Sequence, residues 1–273
     1  MPELPEVETI ARGLESRVAG DQILSVWIGS RKQPLKSSAA KISATLTGAR
    51  ILRVHRMGKH IVLDLAGGKS AKRAESQWIV HLGMTGRMLV CEPEAESVKH
   101  THLLASLASG RELRFIDARM FGKLAVVTPA TFDPGGVEPL AADLETFVGL
   151  FRGRKTPIKS ALLNQKLLRG VGNIYADEAL ARVGIRPKRR AAAISRADLG
   201  RLLEAVQAVL REAIQLGGSS VSDYVGADGE EGFFQLQHRV YGREGEPCLV
   251  CGAAIRRVVI GGRSSHFCPK CQR

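Results

Sequence analysis

Cys248-Leu-Val-Cys251 and Cys268-Pro-Lys-Cys271 stand at one end of the chain as two C-x2-C pairs separated by 16 residues. Pairs with this spacing can set four thiolates tetrahedrally around one zinc ion. Between them, Ile255–Ile260 has the texture of a strand and Gly261-Gly262 marks a turn, so the stretch reads as a zinc ribbon. A module this short buries too little surface to fold alone, and the metal supplies its stability. Two disulfides or a redox pair compete with this reading, but a reducing compartment favours zinc. Four sulfurs leave no open coordination position, so the ion is expected to be structural, and His266 is expected at the surface rather than as a ligand. Cys91 has no partner motif.

Arg256, Arg257, Arg263, Lys270 and Arg273 give the ribbon a basic character suited to phosphate. Arg263 follows the predicted hairpin tip and can project into a groove. The whole chain is basic as well, with 40 Lys and Arg against 27 Asp and Glu, a formal charge of +13 and a pI near 9.9. Such a field attracts polyanions, nucleic acid first and anionic membrane second. No apolar run approaches the ~20 residues of a spanning helix. The start, MPELPEVETI, is acidic and has no signal-peptide pattern. A cytoplasmic, monomeric protein with a nucleic-acid partner and no membrane partner is therefore expected.

Outward from the ribbon, the texture changes twice. Residues 5–19 predict an amphipathic helix with Val7, Ile10, Ala11, Leu14 and Val18 on one face and Gly20 at its end. Residues 22–130 read as short strands of a sandwich or barrel: Ile23–Ile28, Ala49–His55, His60–Leu65, Trp78–His81, Leu103–Leu107, Glu112–Ile116 and Leu124–Thr128. Helices are predicted at Leu144–Phe151, Ile158–Leu163, Ile174–Val183 and Arg196–Leu216, the last capped by Ser195. A Gly-rich stretch, Ser219–Phe234, reads as a long loop, functional or disordered. The expected division is an N-terminal domain over 1–130, a linker over 131–142, a helical domain over 143–237 including a loop at 217–237, and the finger over 238–273.

Several short motifs run in a fixed order along this frame. They are Pro2-Glu3-Leu4-Pro5-Glu6, Arg56-Met-Gly-Lys59, His81-Leu-Gly-Met84-Thr-Gly86, Asp117-Ala-Arg119-Met-Phe121-Gly122, Gly170-Val-Gly-Asn173-Ile-Tyr175, Gly217-Gly-Ser-Ser220, Val240-Tyr-Gly-Arg243 and the cysteine pairs. The set resembles bacterial formamidopyrimidine-DNA glycosylases over nearly the whole chain. The resemblance implies an α+β fold: an N-terminal β-sandwich with flanking helices, a helix-two-turn-helix domain, and a C-terminal zinc-ribbon finger, with DNA in the cleft between. It implies a bifunctional DNA glycosylase and AP lyase that removes oxidised purines from damaged double-stranded DNA.

By the same resemblance, removal of Met1 exposes the Pro2 nitrogen as a nucleophile for sugar C1′, and Glu3 is the general acid, with Glu6 organising the site. Without it, Glu3 and Glu6 are simply acids well placed at a helix N-terminus. An α-amino group has a pKa of ~7.7–8, so a useful fraction is neutral at physiological pH. The iminium that a secondary amine forms is an electron sink, so β,δ-elimination can follow base loss. The resemblance makes Lys59 and Arg263 further catalytic-site residues that hold DNA at the lesion. His81 and Asn173 match phosphate contacts, with Tyr175 and Lys155 in the same helical region. A base taken out of the stack leaves a hole; Met84, Arg119 and Phe121 match the family's void-filling residues. Met120 replaces a basic residue common in the family, which puts one phosphate contact in doubt. Ser220 and Tyr224 match contacts to the flipped base. Two rivals remain: a relative of the same fold that prefers oxidised pyrimidines, and a non-catalytic DNA-binding protein.

Overall fold

The computed structural model describes residues 1–67, 74–93, 99–219 and 232–273. The chain divides into two compact units. The first comprises Met1–Asp133 with Gly217–Gly232, and the second Pro134–Leu216 with Phe233–Arg273.

The first unit opens with α1 (Leu4–Val18). Glu3 and Glu6 form a reciprocal capping box at its start, Pro5 suits the first turn, and Val7, Ile10, Ala11, Leu14 and Val18 are buried, as the apolar spacing predicts. Two antiparallel four-stranded sheets follow. One runs in the order β1 (Ile23–Ile28), β6 (Thr101–Leu107), β7 (Glu112–Ile116), β5 (Arg87–Cys91). The other runs β2 (Ala49–Met57), β3 (His60–Gly67), β4 (Ser76–His81), β8 (Lys123–Val127). Their inner faces share one core. Ile61, Leu63, Trp78 and Val80 come from one sheet, Leu103, Ala105, Leu113 and Phe115 from the other, and α1 and α2 (Ala39–Leu46) close it.

Two of these elements depart from the expected texture. The helix α2 lies inside the stretch read as strands; it buries only Ile42 and Leu46, too little apolar periodicity to stand out, and Ser38 caps it. The strand β5 buries Met88 alone, so it shows no alternation.

In the second unit, α3 (Leu144–Phe151) is capped by Asp143, and α4 (Ile158–Leu162) and α5 (Asn173–Arg182) lead to α6 (Arg196–Gln215), which Ser195 caps. The ribbon follows as β9 (Arg256–Ile260) and β10 (Arg263–Phe267), antiparallel about the Gly261-Gly262 turn. Its own core is small: Val240, Ile255 and Cys268. It is held to the helices by main-chain bonds, Arg273 N–H to the Gly184 carbonyl and Arg186 N–H to the Arg273 carbonyl, both 2.9 Å. Among the described residues no helix is long and apolar enough to cross a membrane.

Candidate active site and nucleic-acid interface

The first cluster is built on the start of α1. Pro2 and Glu3 are buried. The Glu3 N–H donates to Glu6 Oε2 at 2.7 Å, and Glu6 Oε1 accepts the Ser219 N–H at 2.8 Å. One carboxylate thus ties the chain start to a residue 213 positions away. The approach requires glycine: a β-carbon on Gly218, at φ +86°, would lie 2.9 Å from Glu6, and one on Gly232 would lie 2.4 Å from the Gly218 carbonyl. The ends of the predicted loop are therefore pinched together against α1. Ser220 and Tyr224, within that loop, lie outside the described residues.

Lys59 occupies the two-residue turn between β2 and β3, where Met57 pairs with His60, and is 8% exposed. Arg56 fixes this turn to α1, donating to the Gly58 carbonyl (3.1 Å) and to Glu8 Oε2 (2.8 Å). Burial by itself would raise the Glu8 pKa, but hydrogen bonds from Arg56 and Arg12 outweigh it and hold the carboxyl below its ordinary value.

His81, at the end of β4, pairs across from His60. Burial, then the charges of His60, Lys59 and Lys123, push its pKa down to about 4. Its Nδ1 accepts the Gly83 N–H at 3.1 Å, so the neutral ring carries its proton on Nε2, a donor suited to a phosphate oxygen. An NMR titration is expected to find His81 neutral from pH 6 to 8, with its midpoint near 4. Because the folded value is depressed below the ordinary ~6.5, the associated stability is complete above pH ~6.5 and is lost as pH falls through the folded value. A midpoint near 6.5 would refute the assignment.

Met84, Arg119 and Phe121 form a second, exposed cluster, with Met84 40% and Phe121 50% exposed and the Arg119 guanidinium 4.9 Å from the Phe121 ring centre. Asp117, fully buried, holds their loop: it accepts the Thr85 hydroxyl (2.5 Å) and the N–H groups of Gly122 (2.7 Å) and Arg119 (3.3 Å). Gly83, at φ +65°, lets the two turns touch, since a β-carbon there would lie 2.5 Å from the Gly122 nitrogen.

The second unit contributes its own constellation. Asn173 begins α5, where unsatisfied N–H groups favour an anion. Its Nδ2 donates to the Ser264 hydroxyl at 3.4 Å, and Ser264 neighbours the exposed Arg263. Below them lies a buried ion pair: Lys159 Nζ is 2.7 Å from Asp177 Oδ1, both side chains 0% exposed. Lys159 also donates to the Ser264 carbonyl at 2.7 Å, and Asp177 Oδ2 accepts the His266 N–H at 2.9 Å. The pair joins α4 and α5 to β10. Removing one partner of a buried pair strands the other charge. Asp177→Ala is therefore expected to cost about 3–5 kcal/mol in urea unfolding; a loss below ~1 kcal/mol would refute this role.

Contrary to expectation, His266 is buried; it packs on Tyr241 with ring centres 5.0 Å apart. Aromatic neighbours and the Asp177 carboxylate draw it inward. Tyr175 is likewise internal, 1% exposed against Phe234, and so presents no surface to DNA. Lys155 is exposed before α4.

The four finger thiols all lie within 4.8 Å of one another, with Sγ···Sγ distances of 3.9 Å for Cys248–Cys271 and 3.5 Å for Cys251–Cys268. Tetrahedral zinc–thiolate bonds of about 2.3 Å require edges of about 3.8 Å, so the set fits one structural zinc ion. Burial by itself would raise the Cys248 thiol, but hydrogen bonds from the Val250 and Cys251 N–H groups and from the Cys268 and Cys251 thiols together bring it down to about 7. A hydrogen bond with Cys251, and then burial, push Cys271 up to about 12. Zinc must displace these protons to bind.

Residues 1–124 match the model of the formamidopyrimidine-DNA glycosylase N-terminal domain, residues 136–225 that of the formamidopyrimidine-DNA glycosylase H2TH domain, and residues 245–273 that of the zinc finger found in FPG and IleRS. The chain belongs to the formamidopyrimidine-DNA glycosylase family. A formamidopyrimidine-DNA glycosylase of Solibacter usitatus (strain Ellin6076) is 46% identical over the full length of both chains. Among solved structures, a Lactococcus lactis FPG mutant in complex with a Fapy-dG containing DNA superposes with a TM-score of 0.89 at 32% identity, covering 100% of both chains. The wild-type L. lactis FPG in complex with an oxidized pyrimidine containing DNA gives 0.88 at 33%, again over 100% of both. The formamidopyrimidine-DNA glycosylase fold is thus the α+β arrangement the motifs implied, and the zinc finger is part of it.

Sequence reasoning did not assign roles to Arg56, Glu8, Asp117, Lys159 or Asp177. Lys159 left one trace, a lysine flanked by Ile158, Ala161 and Leu162 on a buried helix face.

Proposed function

We propose that this glycosylase excises oxidised purines, 8-oxoguanine and formamidopyrimidines, from duplex DNA and then cleaves the strand. The observation that carries this reading is the start of α1. There Pro2 is buried next to Glu3, and Glu3 and Glu6 close a capping box whose second acid also holds Ser219.

With Met1 removed, the neutral Pro2 nitrogen attacks C1′ of the damaged nucleotide. The bond to the base breaks with its electrons leaving on the base, and Glu3 protonates the ring oxygen as the sugar opens. The resulting C1′ iminium acidifies the C2′–H bond, so loss of that proton expels the 3′ phosphate, and loss of a second proton, from C4′ through the conjugated iminium, then expels the 5′ phosphate. In this reading Lys59, the neutral His81, Asn173 and Arg263 hold phosphates around the extruded nucleotide. Met84 and Phe121 fill the hole, and Arg119 bonds the orphaned base. Ser220 and Tyr224 belong to the stretch that reads the lesion.

Borohydride trapping on three duplexes tests this reading: 8-oxoguanine opposite cytosine, thymine glycol, and undamaged DNA. The expected adduct forms on the 8-oxoguanine strand and maps to Pro2. Trapping mainly on thymine glycol would favour a pyrimidine-directed enzyme, a reading that the oxidized-pyrimidine complex of the L. lactis relative keeps open. Binding without any adduct, from a chain with a confirmed free Pro2, would favour a non-catalytic DNA-binding protein.

A further inference from the structure

A cavity of ≈ 330 Å³ opens on the first unit beside, but apart from, the residues discussed above. Trp27, Arg31, His100 and Met120 line it, with Ser30 and Thr101 contributing hydroxyls. Three observations converge there. Trp27 sits on the edge strand β1, 53% exposed, its ring lying back over Gly29 so that Cη2 is 3.3 Å from where a β-carbon on Gly29 would be. A large aromatic left open to water on a polar rim is a stacking surface without an internal partner. Next, His100 (φ +71°) and Met120 (φ +57°) are the two non-glycine residues with left-handed backbone among the described residues, and both line this cavity. Such a conformation is strained for residues with a β-carbon and collects at functional sites. Here the two strained positions support each other's segments, for the Asp117 N–H donates to the His100 carbonyl at 3.0 Å. Finally, the loop alternates: Arg119 and Phe121 pair with each other, while Met120 between them lines the cavity.

We propose that this cavity receives one unstacked nucleotide of the bound DNA, its base stacked on Trp27 against Met120 and its phosphate met by Arg31. The inference rests on the DNA-binding reading above. A nucleobase fits the chemistry: an indole face and a polarisable thioether for the π-surface, hydroxyl and imidazole groups for the base edge, and a guanidinium for the phosphate. Its place in the chain fits too. The residue that lines the cavity lies directly between the two proposed for insertion, so a strand parted at Arg119 and Phe121 has the cavity one residue away.

The chain has two tryptophans, and Trp78 is fully buried, so the emission lost on Trp27→Phe substitution reports Trp27 alone. A labelled duplex with a tetrahydrofuran abasic analogue opposite cytosine is titrated while anisotropy and tryptophan emission are followed together. As anisotropy rises, Trp27 emission is expected to fall and to become shielded from iodide. Trp27→Ala should weaken binding about tenfold and Trp27→Phe should retain most of the affinity. Rising anisotropy with Trp27 emission and iodide access unchanged overturns the cavity proposal and leaves the DNA reading standing. Weakening by Arg31→Ala with none by Trp27→Ala also overturns it, since that is phosphate contact without a base. No rise in anisotropy sinks the DNA reading, and the cavity proposal with it.

Discussion

A chain carrying Glu3→Gln is expected to bind an abasic-analogue duplex as the parent does while releasing the damaged base about 10²–10⁴-fold more slowly, the range for loss of a positioned general acid. The substitution is clean for a structural reason. Glu3 caps α1 by accepting the Glu6 N–H, and its own N–H is held by the Glu6 carboxylate. A glutamine oxygen accepts the same bond, so the helix start and its tie to Ser219 survive while the transferable proton is lost. Single-turnover base release, measured beside thermal unfolding, separates the two effects. Undiminished release would remove Glu3 from the chemistry, and a large fall in Tm would return it to a capping role.

Stripping the metal, or replacing Cys268 with serine, should have the largest structural effect. Zinc binding by modules of this kind is worth about 10–16 kcal/mol at neutral pH, and the ribbon offers little to replace it: Val240, Ile255 and Cys268 are its buried core. The Cys268 N–H also donates to Gln272, whose amide reaches the Ile185 carbonyl, so unfolding of the ribbon on metal loss also releases its hold on the helices. Loss of ordered amide signals from about residue 245 onward is expected, with loss of tight duplex binding because Arg263 is no longer presented. Unchanged affinity in a chain shown to be zinc-free would take the finger out of the mechanism.

What could be read in advance, and what could not, follows from range. α1 declares itself by a five-residue apolar stripe with acids at its N-terminal end, and the ribbon by thiol spacing; both are local. α2 and β5 were not legible because each buries too few side chains to show a period. The same holds for the site. Pro2, Glu3 and Lys59 stand in recognisable motifs, but the groups that fix them do not: Glu6 meets Ser219 213 residues on, Arg56 meets Glu8 across 48, and Asp177 meets His266 across 89. No periodicity encodes such partnerships, since they exist only once sheets and helices have packed. Placing His266 at the surface failed for this reason, because its spacing beside four cysteines says nothing about the carboxylate and tyrosine that enclose it.

The glycine pinch at Gly217, Gly218 and Gly232 has a bearing on how such enzymes diversify. Gly218 and Gly232 meet at one point, and Ser219 beside them is tied to α1 through Glu6, so this anchorage is made by the ends of the stretch themselves. Closure entropy grows slowly, by about 0.6 kcal/mol for each doubling of a loop's length. On the proposed reading, in which that stretch reads the lesion, descendants of this chain can lengthen, shorten or exchange it and inherit a new appetite for lesions, with the start of α1 left where it was.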